Sequence, residues 1–516
     1  MKNNFEKIDV FIESNNLMRI KDAIYDFERL CENKTKRLEV IKLLMEVKNK
    51  ILSFRKDRKL MNTNYKKENI ITPRDYQVEA INALKNNNYK GIFEMATGTG
   101  KTITSILCAN NYYITNKRIF LIILVPFIHL IEQWILTLEK LNFENILKCF
   151  GNKNKWIYQM REKVRDYNIN ISKKEVIITT YKTASSKDFN DIIFKLKGKG
   201  FLIADECHYF GIKSLRYKID GRLGLSATPN RWWDKSGTDF IYEYFEKTIY
   251  EYNMEKAITK GNLIKYNYFP IKIDLSEKEI KDYQKLTKHL VYLFSEKKKD
   301  KQKIEQITRK RSSILSKAVN KKEILFKILS NKNFDEISHT LLYCAPGEIN
   351  ELTKSIANLG IKVYRFDSKV KKVDREMLLK NFENGKIQIL VAIKCLDEGV
   401  DVPSTKEAYF LSSTSNPREF IQRRGRILRP APNKKNANIY DFIVIPKNVD
   451  EVLFKNIVSK EMPRFAEFSK YAFNEFYARK EIKKYLEKYN LSYLMDKLPW
   501  DIYNEFQNEW EDNEWI

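Results

Sequence analysis

The chain has 516 residues, 43% of them hydrophobic, with 94 Lys and Arg against 67 Asp and Glu, a net charge of +27. That length allows about three domains with real cores, and the excess positive charge points to a polyanionic partner, either nucleic acid or an anionic membrane surface. Six scattered cysteines without a CxxC pair exclude a disulfide framework and a cysteine zinc site, and they fit a reduced, cytoplasmic compartment.

The N-terminus, Met-Lys-Asn-Asn-Phe-Glu, mixes charged and apolar residues and does not read as a signal peptide. Residues 1–66 read as a helical extension, with Ile20, Ala23, Ile24, Phe27 and Leu30 at helical spacing. Over 67–265, apolar runs at Ile119–Val125, Val176–Thr180, Phe201–Ala204 and Leu223–Ser226 alternate with amphipathic stretches. Ile131, Trp134, Ile135 and Leu138 mark one face of an intervening helix. The longest apolar run, Ile119 to Ile131, is broken by Pro126 and His129 and falls short of the roughly 20 residues needed to span a bilayer. Short, wholly apolar strands alternating with helices predict a parallel sheet covered on both faces.

Residues 266–335 read as a charged helical connector containing Lys297, Lys298, Lys299, Arg309, Lys310 and Arg311. Such a charge run is a solvated face or a basic arm for nucleic acid. A second alternating unit, 336–447, has expected strands at Thr340–Cys344, Val363–Phe366, Ile387–Ala392, Ala408–Leu411 and Phe442–Ile445. Its expected helices include Glu348–Leu359 and Asp374–Phe382. Residues 448–516 are again helical and aromatic-rich.

Two motifs carry chemistry. Met95-Ala96-Thr97-Gly98-Thr99-Gly100-Lys101-Thr102 reads as a phosphate-binding loop, although Met95 stands where the strict pattern has Gly. Gly98 and Gly100 let backbone N–H groups approach phosphate, and the helix beginning near Lys101 turns its positive end to the anion. Lys101 is placed to reach the β and γ phosphates, and the Thr102 hydroxyl to sit on Mg²⁺. About a hundred residues on, Asp205-Glu206-Cys207-His208 follows an apolar strand. Ligands bind at such carboxyl ends. There Asp205 can orient Mg²⁺ through its water shell while Glu206 positions and deprotonates the attacking water. His208 is either a packing residue or a partner of the acidic pair, and Cys207 reads as a small core residue. Together the motifs define a nucleoside triphosphatase.

An ordered series of further motifs resembles superfamily-two helicases and translocases of the DEAH/DECH-box type. Arg74-Asp75-Tyr76-Gln77 resembles the Gln-bearing adenine motif. Leu124-Val125-Pro126 with Glu132-Gln133-Trp134 resembles motif Ia, and Asp205–His208 motif II. Ser226-Ala227-Thr228-Pro229 resembles motif III, and Val391-Ala392 with 397–403 motif V. Gln422-Arg423-Arg424-Gly425-Arg426-Ile427-Leu428-Arg429-Pro430 resembles motif VI. The resemblance spans about 70 to 447 and is nearest to the DNA-directed branch of XPB-like helicases, UvsW-like helicases and restriction motors. His208 in the fourth box position fits the DEAD-box RNA helicases less well.

The resemblance implies an α/β protein with two tandem RecA-like doubly wound parallel-sheet domains, ATP held between them. It implies nucleotide contacts from Arg74, Gln77, Thr97, Gly98, Thr99, Gly100, Lys101, Thr102, Gly399 and Asp401, the last on the ribose. It implies Mg²⁺ at Thr102 and Asp205, and catalytic roles for Lys101, Asp205, Glu206, Gln422 and the arginine fingers Arg426 and Arg429. His208, Ser226 and Thr228 would couple nucleotide state to movement, and Pro126 and Lys394 would contact nucleic acid. Arg423 and Arg424 are left as a nucleic-acid-binding arginine patch. Trp232 and Trp233 either pack under the loop or stack on a base. The implied function is an ATP-dependent DNA helicase or double-strand translocase in repair, restriction or phage defence. The alternatives are an RNA helicase, or a motor subunit active only with a protein partner such as a nuclease. No membrane association is expected.

Overall fold

In the computed structural model the chain is described at Tyr25, Glu28 and residues 72–211, 219–232, 234–296, 300–393, 402–412 and 416–501, without the side chains of 372 and 373. The expected helical extension 1–66 thus lies almost wholly outside the described residues, as do Trp233, Lys297, Lys298, Lys299, Lys394, Gly399 and Asp401.

The first sheet is built from β1 (Lys90–Met95), β2 (Ile119–Val125), β3 (Ile146–Cys149), β4 (Lys174–Thr180), β5 (Gly200–Asp205), β6 (Gly221–Ser226) and β7 (Thr248–Tyr252). Their order is β3-β4-β2-β5-β6-β1-β7, with all neighbours parallel. The apolar run Ile119–Val125 becomes a strand buried at every residue. Its side chains alternate: Leu121, Ile123 and Val125 enter the core on one face, and Phe120, Ile122 and Leu124 the core on the other. Both faces being covered explains the unbroken apolar run.

The second sheet has order β10-β11-β9-β12-β13-β8. Its strands are β8 (Lys265–Ile273), β9 (Thr340–Tyr343), β10 (Val363–Phe366), β11 (Ile389–Ala392), β12 (Glu407–Phe410) and β13 (Asn436–Val444), again all parallel. Thus the chain is α/β with two doubly wound parallel sheets, as the motifs implied. Both lie in one compact unit, Thr72–Ile516.

Two features depart from the expected organisation. Residues 265–273, placed in or beside a helical connector, form the edge strand β8. Phe269 and Lys272 are partly exposed there while Tyr266 and Tyr268 are fully buried, so the alternation is that of a one-sided edge rather than of an apolar run. Its free edge is capped: Phe473 N–H donates to Tyr266 O at 2.8 Å, and the Asn474 amide brackets Tyr268, accepting from its N–H and donating to its carbonyl. Second, the helix Glu451–Ser469 is integral to the second sheet. Its Arg464 Nε lies 3.0 Å from both oxygens of the buried Asp441 on β13. Between β8 and β9, the helices Glu277–Ser295 and Lys301–Ser316 pack on each other around a small core of Leu290, Leu293 and Ile307. Among the described residues no helix is long and apolar enough to cross a membrane.

Candidate nucleotide site between the lobes

The strand ends of the first sheet assemble the site. After Met95 the chain turns through Gly98 (φ +90°) and Gly100 (φ +82°), conformations that L side chains rarely adopt. Gly100 caps the helix Lys101–Asn116. The turn is supported from below. The Tyr76 hydroxyl donates to Thr99 O at 2.6 Å, and the Tyr76 ring stacks on Tyr252 of β7 at 4.3 Å. Thr99 turns its own hydroxyl to Ala96 O at 2.7 Å. Gln77 Nε2 donates to Thr104 Oγ1 while its Oε1 accepts from Arg74 N–H, each at 3.0 Å, and the Arg74 guanidinium bonds Asn262.

Lys101 is buried and its Nζ donates to Met95 O at 3.2 Å. Burial lowers its pKa, opposed by Glu206 and Asp205, with Arg429 and Arg426 adding to the lowering. Asp205 ends β5. Burial, then the neighbouring Glu206, pushes its carboxyl up to about 6, while the Trp134 hydrogen bond and Lys101 pull it down. Trp134 Nε1 donates to Asp205 Oδ2 at 2.9 Å, and the Tyr181 hydroxyl donates to Asp205 O at 2.7 Å. Glu206 follows in a left-handed conformation, φ +48°, a strained position that turns it out of the strand direction.

Behind this pair His208 Nδ1 lies 3.3 Å from Ser226 Oγ and 3.5 Å from Glu206 Oε2. Burial, then Arg418, Arg231 and Lys101, holds His208 well below the ordinary imidazole pKa, so it is neutral at pH 7. Ser226 Oγ also accepts from Thr228 N–H at 3.1 Å.

The second lobe closes the site. A cavity of about 410 Å³ is lined by the phosphate loop, Asp205 and Glu206 on one side and by Gln422, Arg426 and Arg429 on the other. The lobes meet at glycines. A Cβ on Gly425 would lie 2.6 Å from Thr97 Cβ and 3.0 Å from Thr97 O, and one on Gly98 would lie 3.0 Å from Gly425 O. Lys434, buried, donates to Pro403 O at 2.7 Å, Ile427 O at 2.5 Å and Arg429 O at 3.0 Å. It pins the end of the expected motif V to the end of motif VI.

Thr97, Gly98, Gly100, Lys101, Thr102, Asp205, Glu206, Gln422, Arg426 and Arg429 therefore all line one cavity. Pro126, expected at the nucleic acid, lines the same cavity. Arg74, Gln77 and Thr99 support the loop from outside the lining, and His208, Ser226 and Thr228 lie behind the acidic pair. Arg423 and Arg424 do not make the expected nucleic-acid-binding patch. Arg423 is buried over the Tyr343 ring at 4.9 Å, and Arg424 is buried against Glu467, Tyr266 and Phe468. Neither forms a surface patch, because β9 covers Arg423 while β8 and the helix Glu451–Ser469 cover Arg424. Trp232 packs edge-on against Trp500 at 5.2 Å. Reading the sequence missed the polar task of Trp134, the clamp by Lys434 and the bridge by Arg418, which donates from Nε to Thr228 Oγ1 at 3.3 Å and from Nη2 to Asn230 O at 2.8 Å. The Trp134 and Arg418 bonds and the Lys434 bond to Pro403 join segments far apart in the chain and leave no local signal.

Two parallel-sheet lobes with a phosphate loop in one and arginines of the other on the same cavity define a tandem RecA-like nucleoside triphosphatase. Residues 70–231 match the type III restriction enzyme res subunit family, and residues 320–431 the helicase conserved C-terminal domain. The chain belongs to the superfamily-two helicases of the XPB and restriction-motor type, and it is an ATP-hydrolysing enzyme. It is 26% identical over 381 residues to the DNA 3'-5' translocase XPB2 of Sulfurisphaera tokodaii, covering 69% of this chain and 78% of that protein. It is 26% identical over 219 residues to the EcoAI type I restriction endonuclease subunit of Escherichia coli, covering 40% of this chain and 25% of that one. The fold is shared with the ATP-dependent type ISP restriction-modification enzyme LlaBIII bound to DNA, with a TM-score of 0.55 at 15% identity over 82% of this chain and 33% of that one. The chain thus spans only part of the restriction enzymes it matches.

Proposed function

We propose that this chain couples ATP hydrolysis to movement on DNA, as a helicase or double-strand translocase. One observation carries the reading: residues of both lobes line a single nucleotide-sized cavity, so hydrolysis depends on closure. The lobes of this proposal are 67–265 and 336–447, the second completed by β8 and the helix after β13. Lys101 and the loop N–H groups hold the phosphates, and Glu206 orients and deprotonates water. Arg426 and Arg429 clamp the transferring group, for which guanidinium suits because it stays charged and binds oxygens bidentately. Gln422 assists them.

The donor set also fits Mg²⁺. Thr102 and Asp205 offer oxygens to the same cavity, and Thr97 Oγ1 and Glu206 Oε2 are buried there with no hydrogen-bond partner among the described residues. An oxygen-poor protein shell is what Mg²⁺ takes when substrate phosphates complete it. Bound, the ion neutralises phosphate charge, while Trp134 holds the Asp205 carboxylate in one orientation.

The DNA preference is supported by the XPB2 and restriction-enzyme relatives and by the +27 charge, which makes binding through phosphates salt-dependent. The restriction relatives support a protein partner as well. A cytoplasmic setting belongs to the same reading. The test is ATP hydrolysis alone and with duplex DNA, single-stranded DNA or RNA at low and moderate salt. Stimulation by DNA that vanishes in Glu206→Gln is expected; stimulation by RNA alone would replace DNA as the track.

A further inference from the structure

The helix Pro417–Ile427 carries Arg418, Gln422 and Arg426 at spacings of four, which puts them along one face. At one end of that face Arg426 enters the nucleotide cavity. At the other, about 12 Å away at 1.5 Å per residue, Arg418 reaches into the first lobe and bonds Thr228 Oγ1 and Asn230 O. Nothing local favours an arginine there. It sits in the first turn, where the helix dipole opposes a cation, and its half-buried guanidinium faces Arg231 as well as Glu206. What holds it is the loop after β6.

That loop leads to the acidic pair through a short chain of contacts. Thr228 N–H donates to Ser226 Oγ, which lies 3.3 Å from His208 Nδ1, itself 3.5 Å from Glu206 Oε2. His208 Nδ1 faces both Ser226 Oγ and Glu206 Oε2, so its ring orientation follows the Ser226 and Thr228 backbone. Arg231, next to Asn230, donates to His208 O at 2.6 Å and fixes the other side of the same residue.

We infer that Arg418 is a positioning residue: a latch by which the second lobe, on closing, sets the Ser226–Thr228 loop and through it the Glu206 carboxylate. This deepens the motor reading and rests on it. One rigid helix then delivers two signals at once, arginines to the phosphates and an ordered loop to the general base. Hydrolysis is thereby confined to the closed cleft.

The test uses the full chain with Arg418→Ala, Arg418→Lys, Thr228→Val and the Ala/Val double variant. It reads kcat with saturating DNA and the affinity for a fluorescent ADP. Loss of charge-assisted hydrogen bonds at the closed state predicts that Arg418→Ala lowers kcat about 10- to 100-fold while ADP affinity stays within about twofold. Arg418→Lys, with one donor centre in place of a fork, recovers part of the rate. The double variant is expected to be no slower than Arg418→Ala alone, because both changes break one link. A multiplicative loss in the double variant, or ADP affinity falling in step with kcat, overturns the latch. Where Arg418→Ala melts below the assay temperature, Arg418→Gln takes its place in the cycle. If the wild type ignores every nucleic acid, the motor reading fails instead, and the same cycle on unstimulated hydrolysis still decides the latch.

Discussion

Gly425→Ala separates stability from closure. Gly425 sits inside the helix Pro417–Ile427 and is buried, so alanine should favour that helix by about 1 kcal/mol over glycine. The closed cleft gives the opposite sign. The new Cβ falls 2.6 Å from Thr97 Cβ and 3.0 Å from Thr97 O, whereas carbon atoms in contact prefer about 3.5–4.0 Å. The clash is with the phosphate loop's backbone, which cannot swing away as a flexible side chain can. Relief therefore requires the lobes to part by roughly 1 Å, and Arg426, on the same helix, retreats with it. A misplacement of about 1 Å costs on the order of 10²-fold in rate, within the ~10³–10⁵ that a lost arginine finger sets as the ceiling. Steady-state hydrolysis should fall about 100-fold, with ADP affinity kept and the melting temperature unchanged or raised. A wild-type kcat in Gly425→Ala would refute the close approach. A melting temperature falling together with the rate would show that the damage is to folding rather than to closure.

Two further outcomes follow from buried polar groups. Trp134→Phe keeps the ring's packing but removes the donor to Asp205 Oδ2; with the carboxylate freer to rotate and to protonate, half-maximal hydrolysis should need several-fold more Mg²⁺, and an unchanged Mg²⁺ titration would sink that role. Lys321, which donates to Leu411 O at 2.7 Å, has its ammonium pushed by burial down from 10.5 to about 8, against the pull of Glu461, Asp441 and Glu348. The unfolded chain then binds more protons between those values, so stability gains with rising pH from about 8 to 10.5 by on the order of 3 kcal/mol. Urea unfolding should show wild type gaining on Lys321→Met across that window; parallel pH curves would mean that Lys321 is not desolvated.

What was legible from the sequence is what the backbone decides locally. Gly98 and Gly100 announce left-handed turns, the run Ile119–Val125 a strand buried on both faces, and Asp205-Glu206 a strand end. β8 escaped because an edge strand, polar on one side and with Pro270 in it, has no apolar run to betray it. The arginines show the limit most sharply. Arg423, Arg424, Arg426 and Arg429 are indistinguishable as residue types, yet the first two enter the interior of the second lobe while Arg426 and, just past the helix end, Arg429 line the cavity. Which pair does which depends on the helix Glu451–Ser469, with Glu467 receiving Arg424, some forty residues away. Arg418 depends on the other lobe altogether. A motor of two lobes makes its decisive contacts between segments far apart in the chain, and those contacts exist only when the cleft is closed. Short motifs therefore mark the chemistry within each lobe, whereas the groups that make hydrolysis conditional on closure, Gly425 and Arg418, emerge only once the two sheets are set face to face.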